Sequence, residues 1–255
     1  MKTQPILRQR GFTLLETVIA IGVLAVLLTG FMVVFAPAAE GIRKSINVQQ
    51  ADRMASALEQ ELVTLRKNEI KADVTTGFDK AFEWIKKSSA ATSADALLAY
   101  QYRGKIKNTS DVRSDDGTPI PEPLFSGRPG EDYVVIPMVR RLSDSVKLKE
   151  DLAAVEGAVY LVKCTQLVFS GGQLIANTAP GTIKNPKPDS TPADPNYKAG
   201  PFDKAADYPE AVIAFAADFY LMPAKSFDYF GSKSFTDKFP KLKNPVFTRN
   251  LAVRR

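Results

Sequence analysis

The sequence predicts an α+β protein. One long N-terminal helix, membrane-spanning in its first half, packs in its second half on an antiparallel β-sheet. Three observations carry this. Thr17 to Ala39 contains no charged side chain, and crossing a bilayer takes roughly 20 apolar residues. Val48, Ala51, Ala55, Leu58, Leu62 and Leu65 recur at spacings of three and four, the stripe of an amphipathic helix. Beyond Gly130, runs rich in Val, Tyr, Ile and Phe are punctuated by Gly and Pro, the pattern of meandering strands.

The chain opens on a leader holding Lys2, Arg8 and Arg10 and no acidic residue. Gly11-Phe12-Thr13-Leu14-Leu15-Glu16 follows, and Glu16 is the only charge between Gly11 and Ala39. A carboxylate toward the centre of a spanning helix costs on the order of 2.5 kcal/mol or more, so such a residue is a functional candidate by default. It must find a partner, become neutral, or reach the interface. The apolar core of a secretory signal is about 7–15 residues. The run here is longer, although Ala36-Pro37-Ala38-Ala39 imitates a small-residue cleavage site.

These residues resemble the N-terminus of the type IV pilin and type II secretion pseudopilin superfamily: a basic leader ending in Gly11, then Phe12, the Thr13-Leu14-Leu15 turn, and Glu16 ahead of the apolar helix. The resemblance covers about the first 40 residues. It implies cleavage by prepilin peptidase between Gly11 and Phe12, and methylation of the new amine of Phe12. It also implies that Glu16 acts in assembly by meeting the N-terminal amine of a neighbouring subunit. The fold it implies is pilin-like.

The elements follow in order. Residues 1–11 form the leader, where Pro5 breaks any early helix. Residues 12–39 form the membrane half of the helix, with Pro37 as a kink or as the bilayer exit. Residues 40–70 continue it as an amphipathic helix ending near Arg66, with Asp52, Arg53, Glu59, Gln60, Arg66 and Lys67 on its outer surface. Residues 71–255 form the periplasmic α+β domain. Phe78, Ala81, Phe82 and Ile85 predict a short helix to Lys87, with Trp84 beside that face. Ala94–Tyr102 is ambiguous between helix and strand, and Asn108–Pro129 reads as a long loop. Strands are expected over Tyr133–Val139, Gly157–Phe169 and Ala211–Met222, with a last one over Pro245–Val253. A helical turn is expected within Leu148–Glu156, and Gly171-Gly172 permits a hairpin returning through Gln173–Ile175.

Composition narrows the chemistry. There is no histidine, which removes Ser-His-Asp and Cys-His catalysis and histidine-based zinc sites. The single cysteine, Cys164, permits no internal disulfide and lies in an apolar strand-like run. That departs from adhesive type IV pilins with a disulfide-closed loop. The formal charge is +6; losing Lys2, Arg8 and Arg10 with the leader leaves 31 basic against 28 acidic residues. The mature chain is therefore only mildly basic.

Three constellations invite a ligand. Asp189, Asp194, Asp203 and Asp207 offer oxygens of the kind calcium takes, but interleaved lysines dilute the charge, and a solvated loop is the expected reading. The tail from Pro223 interleaves Lys225, Lys233, Lys238, Lys241 and Lys243 with Phe227, Tyr229, Phe230, Phe235 and Phe239. Such residues can neutralise phosphates and stack on bases, but the expected reading is that the aromatics bury in the domain and the charges solvate its surface. Asp115-Asp116 is an adjacent carboxylate pair without placement. Neither an enzymatic activity, a metal nor a cofactor is expected.

The functional expectation is a minor or specialised prepilin-like subunit of a type IV pilus or a type II secretion pseudopilus. Its partners would be prepilin peptidase, other pilin or pseudopilin subunits and the inner membrane. The basic leader places the N-terminus in the cytoplasm and the bulk in the periplasm. The alternatives are a DNA-binding component of an uptake system, with nucleic acid as partner, and a membrane-anchored periplasmic protein that does not assemble.

Overall fold

A computed structural model describes residues 13–90, 92–106, 120–125, 130–187 and 197–255. Helix α1 runs Leu14–Val63 with Pro37 inside it. The chain divides into two compact units, Met1–Ile46 and Asn47–Arg255.

The described part of the first unit is helix alone. Its most apolar window has a mean hydropathy of 2.8, and its large side chains from Leu14 to Phe35 are all exposed. Phe31 and Phe35 stack on one helical face at 3.9 Å. An apolar helix left uncovered on every side needs lipid or other helices around it.

The second unit is built on a sheet. β1 (Leu97–Lys105), β2 (Tyr133–Arg141), β3 (Val155–Ser170), β5 (Val212–Leu221) and β6 (Phe247–Arg254) lie in the order β2-β1-β3-β5-β6, and β4 (Gln173–Ala176) pairs with the far end of β3. All pairings are antiparallel. The ambiguous stretch before Tyr102 is thus strand β1, paired on both sides. β3 serves β1 with its first half and β5 with its middle, which is why it needs 16 residues. Between Tyr100 and Gln101 the register against β3 shifts past Gly157, whose φ is +74°. A bulge residue in the left-handed region favours glycine.

The sheet is covered on both faces. On one lie Ala51, Met54, Ala55, Leu58 and Leu62 of α1, together with Phe78, Phe82 and Ile85 of α2 (Gly77–Ser88), against Leu97, Val162, Phe215 and Phe219. Arg249 of β6 reaches Asp52 of α1 at 3.2 Å, and the Tyr160 hydroxyl donates to the Asn47 carbonyl at 3.0 Å. On the other face, Leu98, Tyr100, Leu161 and Tyr220 meet Leu148 and Leu152 of α3 (Ser145–Ala153). Phe230 of α4 (Phe227–Phe230), Phe235 of α5 (Lys233–Lys238) and Phe239 complete that layer. The expected helix-on-sheet arrangement is present, and a second helical layer closes the opposite face.

α1 stops at Val63, three residues before the expected Arg66, because tertiary partners take over its end. The Thr64 carbonyl accepts from the Lys80 ammonium of α2 at 2.7 Å, a cation on a helix C-terminus. Arg66, expected on the outer surface, is buried and gives both terminal guanidinium nitrogens to Glu61.

Candidate functional site

Gly11 and Phe12, the expected processing pair, lie outside the described residues. Glu16 lies in the first turn of α1. Its Oε2 accepts from the Thr13 amide at 3.0 Å and from the Thr13 hydroxyl at 3.0 Å, while the Glu16 amide donates to Thr13 Oγ1 at 3.2 Å. This is a capping box, with the side chains at the cap and three residues on answering each other's amides. The spacing Thr13-x-x-Glu16 was legible as that motif in the sequence, and the reading of Glu16 as a lone charge passed over it. The cap holds the carboxylate at the start of the helix, where the macrodipole favours negative charge. Glu16 is therefore both a helix cap and the one acidic group at the head of an apolar rod.

The other candidate ligand sites change character. In and beside the loop expected to be solvated, Ile183, Phe202, Ala205 and Tyr208 are core residues. Phe202 donates its amide to the Ile183 carbonyl at 2.8 Å, and its ring meets Tyr208 edge-on at 5.9 Å. Asp203 is spent on Lys86 at 2.7 Å, a partner that holds its carboxyl below the usual range. Asp189 and Asp194 lie outside the described residues, as do Asp115 and Asp116. Among the described residues, no cluster of three or more Asp, Glu or Cys is placed to hold a metal.

In the tail, three of the aromatics follow the expected burial. Phe230, Phe235 and Phe239 are buried, packed edge-on or tilted against one another, so they offer no open faces to bases. Lys163 of β3 pins this layer by donating to the Phe239 carbonyl at 2.6 Å. Lys225, Lys233, Lys238, Lys241 and Lys243 remain exposed, and Phe227 and Tyr229 are half-buried, so the nucleic-acid alternative keeps its charges and loses three of its five rings. Cys164 is buried, and burial pushes its thiol up to about 12. It is a core residue rather than a nucleophile.

Two buried polar networks were not foreseen. In the first, Lys80 donates to Glu61 and Glu69 at 2.7 Å each and lies 4.5 Å from the centre of the Trp84 ring. In the second, Asp151 accepts from the Tyr100 hydroxyl at 2.7 Å and from Arg140 Nε at 2.8 Å. Glu61 interrupts the apolar stripe of α1 and Lys80 sits among the apolar positions of α2. That interruption was the available signal.

An α+β domain follows an uncovered, membrane-length N-terminal helix with one capped carboxylate at its start, a pattern that suggests a membrane-anchored protein. Residues 6–32 match the prokaryotic N-terminal methylation motif, the signature of type IV pilins and pseudopilins. No curated protein and no solved structure matches the chain. The motif and the apolar helix together support membrane anchoring and a pilin-like substrate of prepilin peptidase.

Proposed function

We propose that this chain is a minor or specialised prepilin-like subunit of a type IV pilus or a type II secretion pseudopilus. Prepilin peptidase cuts between Gly11 and Phe12, and Phe12 carries the methylated amine. Residues 12–39 span the inner membrane and later line the fibre core; residues 40–70 dock the helix on the domain, and residues 71–255 form the periplasmic body. The N-terminus is cytoplasmic before processing. The role is structural rather than catalytic.

The observation that carries this reading is the methylation motif joined to the uncovered apolar face of α1. In lipid that face is solvated by acyl chains, and in a fibre by the same helix of neighbours. Glu16 sets the axial register by meeting the amine of the next subunit, because an unpaired carboxylate is disfavoured in an apolar bundle.

The test is intact mass and N-terminal peptide sequencing of membrane-extracted protein. A start at methylated Phe12, lost in Gly11→Ala, supports the proposal, and Glu16→Ala then leaves a processed protein that stays out of sheared filaments. An intact Met1 start, or a cut near Ala39, overturns it.

A further inference from the structure

The sheet ends on two strands, β2 and β6, each paired on one side only among the described residues. Leu142, just past β2, donates its amide to the Ala96 carbonyl at 2.8 Å on the paired side. Backbone groups alternate sides along an antiparallel strand, so Tyr133, Val135, Pro137 and Val139 turn theirs to the open side. At the other edge Arg255 donates to the Ala211 carbonyl at 2.8 Å, so Thr248, Asn250, Ala252 and Arg254 turn theirs outward. Edge strands are ordinarily protected by charge, proline or a bulge. Residues 133–138 carry no charge, and Pro137 is their one guard. Tyr133, Val134 and Val135 are 43%, 39% and 45% exposed, so both faces of the strand start are open and apolar. Open backbone groups between apolar side chains form a template for one more strand.

The topology selects that strand. Every neighbour in the order β2-β1-β3-β5-β6 is antiparallel, so the two edge strands run in the same direction. The docked half of α1 crosses from one edge to the other. Asp52 and Ser56 meet Arg249 of β6, and Ala57, Gln60 and Thr64 line a cleft with Ile136 and Met138 of β2. On the membrane-anchored reading above, on which this inference rests, neighbouring copies share one orientation. Copies displaced along α1 without reversal bring β2 of one beside β6 of the next, in parallel. A twofold β2–β2 pair would instead reverse the docked half of α1. Charge agrees with the parallel pair. Asp132 immediately precedes β2, and Lys241 and Lys243 precede β6 by a few residues. All three are exposed and have no ionic partner among the described residues. Parallel strands start at the same end, so the acid of one copy faces the lysines of the next.

We propose that the uncharged start of β2 pairs with the free edge of β6 in a neighbouring copy, extending the sheet from chain to chain. Such a head-to-tail contact does not close on itself and repeats along a row of copies. The test is oxidative cross-linking of full-length protein in membranes of cells producing two differently tagged variants. One carries Val134→Cys; the other carries Thr248→Cys or Asn250→Cys, exposed positions on the same sheet face as Val134. The mixed dimer forms, each variant alone gives none, and a chain carrying both cysteines gives a ladder of oligomers. Cys164 is buried and stays out of the reaction. Adding Val135→Pro, which removes an outward N–H and leaves the β1 pairing intact, abolishes the mixed dimer while Trp84 emission matches the parent. No mixed dimer, a Val134→Cys chain joined to its own kind or to a protein of another mass, or an equal yield when Lys198→Cys replaces Val134→Cys overturns the proposal. N-terminal sequencing of the same membranes reports separately on processing: an unprocessed chain that still forms the mixed dimer would overturn the pilin reading and leave the strand pairing standing.

Discussion

Replacing Lys80 by methionine removes a charge from the interior while nearly preserving side-chain volume. The Lys80 ammonium makes three hydrogen bonds of 2.7 Å, to Glu61, to Glu69 and to the Thr64 carbonyl, and the side chain is 1% exposed. Without it, Glu61 keeps Arg66, Glu69 keeps only the Arg66 amide at 3.0 Å, and the end of α1 loses its cationic cap. Breaking a buried pair by removing one partner costs about 3–5 kcal/mol. The retained Arg66 places Lys80→Met near the lower bound, about 3 kcal/mol. With a urea slope of about 2 kcal/mol per M, the midpoint falls by about 1.5 M. Trp84, the only tryptophan, stacks on Lys80 and reports the transition directly in full-length protein held in detergent. Adding Glu69→Gln to Lys80→Met returns part of the loss, because Glu61 still answers Arg66 and Glu69 is no longer a carboxylate without its cation. A Lys80→Met cost below about 1 kcal/mol, or no recovery in the double variant, would refute the claim that the network locks the end of α1 onto α2.

Three further outcomes are expected. Thr13→Val removes the hydroxyl that exchanges hydrogen bonds with Glu16. The lost cap costs the first turn about 1 kcal/mol and lowers recovery in sheared filaments, while Thr13→Ser retains it; equal recovery of all three proteins would sever the cap from assembly. Cys164, its thiol pushed up to about 12 by burial, resists an alkylating reagent at pH 8 in the folded protein and reacts once urea unfolds it, as mass spectrometry will show. Burial pushes Tyr160 and Tyr208 up to about 12 from the ordinary value near 10, and Tyr100 well above it. Between those values the unfolded chain has released phenolic protons that the folded chain keeps. Stability is therefore full below pH 10 and falls as pH rises through 10 toward 12; urea midpoints that stay level across that window would contradict it.

Most strands were legible as runs rich in Val, Tyr, Ile and Phe closed by Gly or Pro. Gly171-Gly172 turned β3 into β4 as the hairpin chemistry requires, and both glycines adopt positive φ. β1 was not legible as a strand, because Ala96 to Tyr102 is apolar at almost every position rather than alternating. The structure supplies the reason: Leu97 and Ala99 face one helical layer, and Leu98 and Tyr100 face the other. Near-continuous apolar runs are what strands covered on both sides require. The second layer was legible only in part: burial of the tail aromatics was expected, but not the sheet face that takes Phe230, Phe235 and Phe239.

What the sequence by itself determined is local. An uncharged run of membrane length must be a helix, since in lipid only internal hydrogen bonds can satisfy its backbone. Thr13 and Glu16 are three residues apart, so the cap follows as soon as that helix starts. What only the tertiary structure decided is which charges lie inside. Glu61 and Lys80 are 19 residues apart, and Arg140 and Asp151 are joined across β2 and α3. A charge that interrupts an apolar stripe hints at burial, but nothing local names its partner, because a buried ion is tolerated only where distant elements deliver its counter-charge to the same place.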